Sequence, residues 1–278
     1  MTATAAYLHD AEPRPRFGDL VAAEWIKLRS LRSTWFGYGA AALAVIAFNV
    51  GTAYDTYRNW SRQNPEGPEG FVRVGIPLDE AFTVNAATVM MLALGALGAM
   101  AVVGEYASGT IRTTFAAVPA RRSVMAAKAA VVAAVTAVFG AVVAGVSFAA
   151  TQAILDRRGA GVSLGDPGAL RVVVASALLA PLCALAGLAL GTVIRQTAGT
   201  MIASSLVLLV LPLALTDGRH WSAVASHGTL YQAWCRLVEV NYHPLHYPWT
   251  IAGAWTVYAV WAAAAVAITV VGVHRRDQ

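Results

Sequence analysis

Residues 104–128 read GEYASGTIRTTFAAVPARRSVMAAK. Glu105, Arg112, Arg121, Arg122 and Lys128 all fall in this stretch, and the chain is almost continuously apolar on either side of it. Runs of that kind, about 18–20 residues or longer, are what a bilayer crossing requires. The stretch therefore reads as a polar loop between two membrane spans. Gly109 ends the span before it. Thr110 is placed to cap a short helix over residues 111–117, which Pro119 limits, and Ser123 is placed to cap the next span. A seven-residue helix is about 10 Å long and is not stable alone in water. It needs a surface, and Ile111 with Phe115 (i, i+4) offers an apolar pair for docking beside the charges of Arg112, Arg121 and Arg122.

The rest of the 278-residue chain supports this reading. It is 58% hydrophobic and 13% charged, with a mean hydropathy of +0.58. A soluble domain carries nearly twice that charge fraction. Six spans are expected, at residues 34–54, 81–103, 124–155, 170–194, 197–215 and 249–273, forming one all-α polytopic membrane domain over 34–273. Asp79 is placed to cap the second span. The third run is long for one span, so it tilts or projects, and Lys128 can snorkel from it to the headgroups. Arg195 and Gln196 form a very tight turn between the fourth and fifth spans.

Ahead of the first span, residues 1–16 read as a flexible tail and 17–33 as an amphipathic helix lying on the membrane surface. Phe17, Leu20, Val21, Trp25, Leu28 and Leu31 share one face at helical spacing, flanked by Lys27, Arg29 and Arg32. Glu24 falls within that apolar face. A carboxylate there needs a partner, either Lys27 at i+3 or the basic residues of the 104–128 loop. Residues 217–248 form a second long loop, rich in aromatic and histidine residues, and read as partly helical and interfacial. Residues 274–278 form a short terminal tail.

Six spans place both termini on one side. Taking that side as cytoplasmic puts 12 of the 20 Lys and Arg residues inside and 9 of the 15 acids outside, and the basic clusters sit at span ends, where the positive-inside bias acts. The positive net charge is thus a topology signal and not a nucleic-acid footprint. Heavy use of Ala, Val, Arg and Gly points to a bacterial plasma membrane. No removable signal peptide is read at the N-terminus.

Chemistry is sparse. There is no GxxxxGK[ST] and no HExxH, no catalytic set is suggested by spacing, and no cofactor or metal site is expected in the chain. His227, His243 and His246 share the second loop and read as interfacial residues beside aromatics. The two cysteines, Cys183 and Cys235, do not suggest a disulfide framework. No Asp, Glu, Lys or Arg lies deep in a span, where ion-coupled carriers usually keep them. Gly187 and Gly191 form a GxxxG, and Gly95 with Ala99 a similar pair, as close helix packing requires. Asn85, Thr88, Met91, Met201 and Ser204 are candidates to line a path for an amphiphilic molecule.

The loop Glu105, Gly109-Thr110-Ile111, Pro119, Arg121 resembles the first cytoplasmic loop of bacterial ABC transporter permeases of the type-2 export class. The opening AAEWIKLRSLRSTW (22–35) is similar to that of many actinobacterial members. The resemblance implies a permease dimer, homo- or heteromeric, working with separate ABC ATPase subunits that bind ATP and Mg. It implies that the loop Glu105–Arg122, through its short helix, couples to the ATPase, that the surface helix with Glu24, Trp25, Lys27 and Arg29 joins that contact, and that the 217–248 loop closes the exit. Two other readings remain open from the residues alone: an ion-gradient-driven carrier or channel, and a membrane anchor or sensor.

Overall fold

The computed structural model describes residues 15–63, 75–215, 219–239 and 247–272. In chain order these form α1 (Phe17–Ser30), α2 (Arg32–Gln63), α3 (Ile76–Ala81), α4 (Val84–Ser108), α5 (Thr110–Ala117), α6 (Arg121–Leu155), α7 (Ala169–Ile194), α8 (Thr197–Ser205), α9 (Leu211–Ala214), α10 (His220–His227), α11 (Leu230–Val238) and α12 (Ile251–Val271). No strand occurs among the described residues. Six stretches are long and apolar enough to cross a membrane: α2, α3–α4, α6, α7, α8–α9 and α12. The fold is thus an all-α polytopic membrane protein.

The span ends differ from the sequence reading in instructive ways. The first span begins at Arg32 and continues as one helix to Gln63. The second is preceded by α3, and Thr83 rather than Asp79 caps α4, its Oγ1 accepting from Ala86 N at 3.3 Å. Asn49 of α2 fixes that break: its Oδ1 accepts from Thr83 N at 2.9 Å and Thr83 Oγ1 at 3.1 Å. The fifth span is interrupted by a π-helical turn at Leu206–Val210 just before Pro212. Proline has no N–H to donate to the residue four back, so the hydrogen-bond ladder is already broken there.

The centre of the molecule is α7, whose apolar window is 78% buried against 22% for α12. The reason lies in its small residues. A Cβ added at Gly187 would lie 1.9 Å from the Gly95 carbonyl oxygen, and one at Gly98 would lie 1.9 Å from the Ala184 carbonyl oxygen. Gly191 likewise faces Val102 and the Ala99 carbonyl. The backbones of α4 and α7 touch along a seam that no larger residue permits. Dispersion and close backbone approach take over the work of the hydrophobic effect, which lipid does not supply.

At the end of the bundle away from α5, polar side chains lash the elements together. Gln152 of α6 donates from Nε2 to the Pro77 carbonyl at 2.9 Å and accepts from Val162 N at 3.1 Å. The second loop is partly helical, as expected. Its α11 buries Leu230, Ala233, Trp234 and Leu237 on one face, and Trp234 Nε1 donates to Ser176 Oγ of α7 at 3.2 Å. His227 stacks on Trp249, ring centroids 4.6 Å apart. His243 and His246 lie outside the described residues, and no grouping of metal-ligating side chains occurs among those described.

Candidate functional site

At the α5 end, α6 is longer than a bilayer needs: 35 residues rise about 50 Å, against a hydrocarbon core of about 30 Å. Around its first turns gather α1, the end of α4 and α5. Gly109 makes this possible. It adopts φ 74° and ψ −1° and serves both as C-cap of α4 and as N-cap of α5. The left-handed conformation costs a residue with a Cβ roughly 1–2 kcal/mol, so glycine suits the corner. The expected cap, Thr110, is instead the first residue of α5, its hydroxyl 2.7 Å from Ser108 Oγ. Likewise α6 starts at Arg121, before Ser123.

α5 is turned inward relative to expectation. Ile111 is 5% exposed and belongs to the main core. Phe115 is half-buried against Leu20 of α1 and Val124 of α6, with the Arg121 guanidinium 5.4 Å from its ring centroid. The apolar pair predicted to meet a partner therefore docks α5 onto its own chain. The outward surface is Arg112, Thr113, Ala116 and Ala117, continuing through Pro119 and Arg122, all exposed. A short amphipathic helix shows which face is apolar, but not which surface receives it.

α1 is corrected in the same way. Leu20, Glu24 and Leu28, at successive i+4 positions, face inward and are buried. Phe17, Trp25 and Leu31 face outward, where Trp25 meets Trp35 edge-on at 6.5 Å. Arg29 is exposed. The apolar surface is split between protein and surroundings, and Glu24 sits on the protein side.

There Glu24 joins a four-residue ionic network. Lys27 Nζ lies 2.8 Å from Glu24 Oε1 and 3.3 Å from Glu105 Oε1, and donates to Thr114 Oγ1 at 3.4 Å. Lys128 Nζ lies 2.9 Å from Glu105 Oε1 and also donates to Glu24 Oε2. Both sequence alternatives for Glu24 are thus realised at once, the local lysine and a basic residue of the loop. Lys128 does not snorkel: its side chain is 5% exposed. An unpaired charge buried to that depth would be costly, and two carboxylates meet it. Burial works against the charge on Lys27, but the hydrogen bond to Glu24 and the charges of Glu105 and Glu24 outweigh it, and its pKa is raised.

The network ties α1, α4 and α6 together and reaches α5 through Thr114. Arg195 adds a fifth element. It holds the two-residue α7–α8 turn in the left-handed region at φ 59°, and its guanidinium lies 5.0 Å from the ring centroid of Tyr106, next to Glu105. Sequence reading gave Thr114 and Tyr106 no role. Their only signal was proximity to Glu105.

The candidate path residues are divided. Met91, Met201 and Ser204 line a cavity of about 20 Å³ between α4 and α8, room for roughly one water. Asn85 is exposed and Thr88 half-buried, and neither lines it.

A family model described as ABC-2 family transporter protein matches residues 20–212. The chain belongs to the ABC-2 transporter family. No curated protein matches it. The ABC-2 match opens at Leu20 in α1 and closes at Pro212 in the fifth span, so it contains the whole ionic network, α5 and the α4–α7 seam. ABC-2 proteins are the membrane components of ABC transporters, which sets a separate ABC ATPase as this chain's partner.

Proposed function

We propose that this chain is the permease subunit of an ATP-driven exporter in a bacterial plasma membrane, with both termini and α5 on the cytoplasmic side. Two permease copies would work with two ATPase subunits, which bind ATP and Mg. The cargo is an amphiphilic or lipid-like molecule. The observation that carries the reading is the Glu24–Lys27–Glu105–Lys128 network, which makes α1, α4, α5 and the start of α6 one unit at the surface an ATPase would meet.

In that mechanism the outward face of α5, with Arg112 and the Pro119–Arg122 corner, seats on the ATPase. Closure of the ATPase pair displaces α5. Because α5 is joined through Gly109 to α4 and through the network to α1 and α6, the displacement reaches three elements together. ATP binding then favours one arrangement of the spans over the other, which is a population shift between two states. Met91, Met201 and Ser204 lie where α4 and α8 would part, so the small cavity between them is a candidate segment of the path in its closed state.

The test is recovery of a tagged chain from its own membrane with identification of the proteins that come with it. A soluble ABC ATPase, retained at higher salt by wild type than by Arg112→Glu, is the expected result. Transport by the purified chain alone, driven by an ion gradient, would overturn the proposal.

A further inference from the structure

Beside the ionic network lies a cavity of about 450 Å³ between α1, α2, α4 and α6, within the roughly 300–1,000 Å³ range of small-molecule sites. Glu24, Lys27, Glu105 and Lys128 contribute its charged wall, and Tyr38, Leu97, Met100, Ala101, Val131 and Val132 much of its apolar wall. Leu31 and Met100 at the lining are about half exposed, so the cavity opens sideways, at the level where α1 passes into α2.

The charged wall is balanced, two carboxylates against two ammonium groups, but not fully satisfied. Lys27 makes three contacts, one for each of its N–H donors. Lys128 makes two, leaving one donor. Among the described residues Glu105 Oε2 accepts nothing, and the Tyr38 hydroxyl has no hydrogen-bond partner although the residue is 6% exposed. Ser30, Ser108 and Thr110 at the lining spend their hydroxyls within the chain, so the cavity offers one cationic donor, one anionic acceptor, the neutral hydroxyls of Tyr38 and Thr34, and a long apolar wall.

From this we infer that the cavity binds a zwitterionic phospholipid with a primary ammonium head, taken from the leaflet at the α5 end. The phosphate meets Lys128, the ammonium group meets Glu105, the Tyr38 hydroxyl donates to an ester carbonyl, and one acyl chain lies on Leu97, Met100 and Val131. A net anionic lipid would bring an uncompensated charge to a balanced site. A choline head has no N–H to give Glu105. The bound lipid sits against the α1–α4–α6 clamp. The inference rests on the cavity alone and not on ATPase coupling, so it is tested without nucleotide or ATPase.

Gly104 supplies the control. It lines the cavity, and a Cβ added there meets nothing within 4 Å. Gly104→Leu therefore adds a side chain at the lining with no clash at its Cβ, and leucine is the better helix former. The full chain is placed in nanodiscs containing phosphatidylethanolamine with a photoactivatable acyl chain, and adducts are mapped by mass spectrometry. Adducts on Leu97, Met100 or Val131 are expected. Unlabelled phosphatidylethanolamine should suppress them and phosphatidylglycerol or phosphatidylcholine should not. Gly104→Leu should reduce them at least fivefold at an unchanged or higher Tm. Equal labelling of wild type and Gly104→Leu, equal competition by the anionic lipid, or a cross-link from this cavity to a second copy of the chain would each overturn the inference.

Discussion

Lys128 Nζ on α6 lies 2.9 Å from Glu105 Oε1 on α4, and the same ammonium group donates to Glu24 on α1. Three helices meet at one buried cation.

Lys128→Met removes that cation and leaves two carboxylates sharing Lys27 alone. Loss of one member of a buried ionic group costs about 3–5 kcal/mol, so the variant should show a clearly lowered Tm in detergent. Adding Glu105→Gln should restore much of the loss, since one carboxylate, Glu24, then remains against one ammonium group, Lys27, 2.8 Å away. A Tm for Lys128→Met equal to wild type would show that the network contributes nothing to cohesion.

The α4–α7 seam predicts a sharp contrast between glycines. Gly187→Ala places a Cβ 1.9 Å from the Gly95 carbonyl oxygen, so the helices must separate, at a cost of about 1–3 kcal/mol or more. Gly145→Ala on α6 meets nothing within 4 Å and should be neutral or stabilising by up to about 1 kcal/mol through helix propensity. Thermal unfolding of the two variants side by side checks this.

Two neighbouring residues on α5 should behave oppositely. Ile111→Asp buries a carboxylate without a partner and should reduce folded yield, at a cost of several kcal/mol. Arg112→Glu changes only an exposed side chain and should leave Tm unchanged, within about 0.5 kcal/mol. It should instead weaken association with the co-expressed ATPase roughly tenfold, equivalent to about 1.4 kcal/mol. Size-exclusion profiles report the first effect and a binding titration the second.

The raised pKa of Lys27 fixes the pH window of its contribution. A group whose value is higher folded than unfolded contributes fully below its unfolded value, here 10.5, and loses that contribution as pH rises through the folded value. The Tm difference between wild type and Lys27→Ala should therefore stay constant from about pH 6 to about pH 9 and shrink only above 10.5. A difference that already disappears near neutral pH would contradict the ion-pair geometry.

How much of this was legible in the sequence varies with the range of the interaction. The number of spans could be read because bilayer thickness sets a length and composition threshold. The Gly187–Gly191 spacing could be read because small residues four apart form a flat stripe on one helix. Glu24 announced a partner because a carboxylate on an apolar face violates a local pattern. Its second partner could not be located by spacing, since Lys128 is 104 residues away. The inward turn of Ile111 was hidden because water, protein and a partner surface all accept the same i, i+4 pattern. Thr83 was overlooked as a cap because its anchor, Asn49, lies on a different helix.

The link between Glu24 and Lys128 also bears on how the protein is made. With a sequence separation of 104 residues and synthesis at about 5–20 residues per second, Glu24 is translated roughly 5–20 seconds before its cation. During that interval Lys27, three residues on and 2.8 Å away in the finished fold, is the counter-ion that travels with it. α1 is thus synthesised before α6 and reaches its final setting only when α6 arrives beside it. The chain carries in Lys27 a chaperone for its own carboxylate.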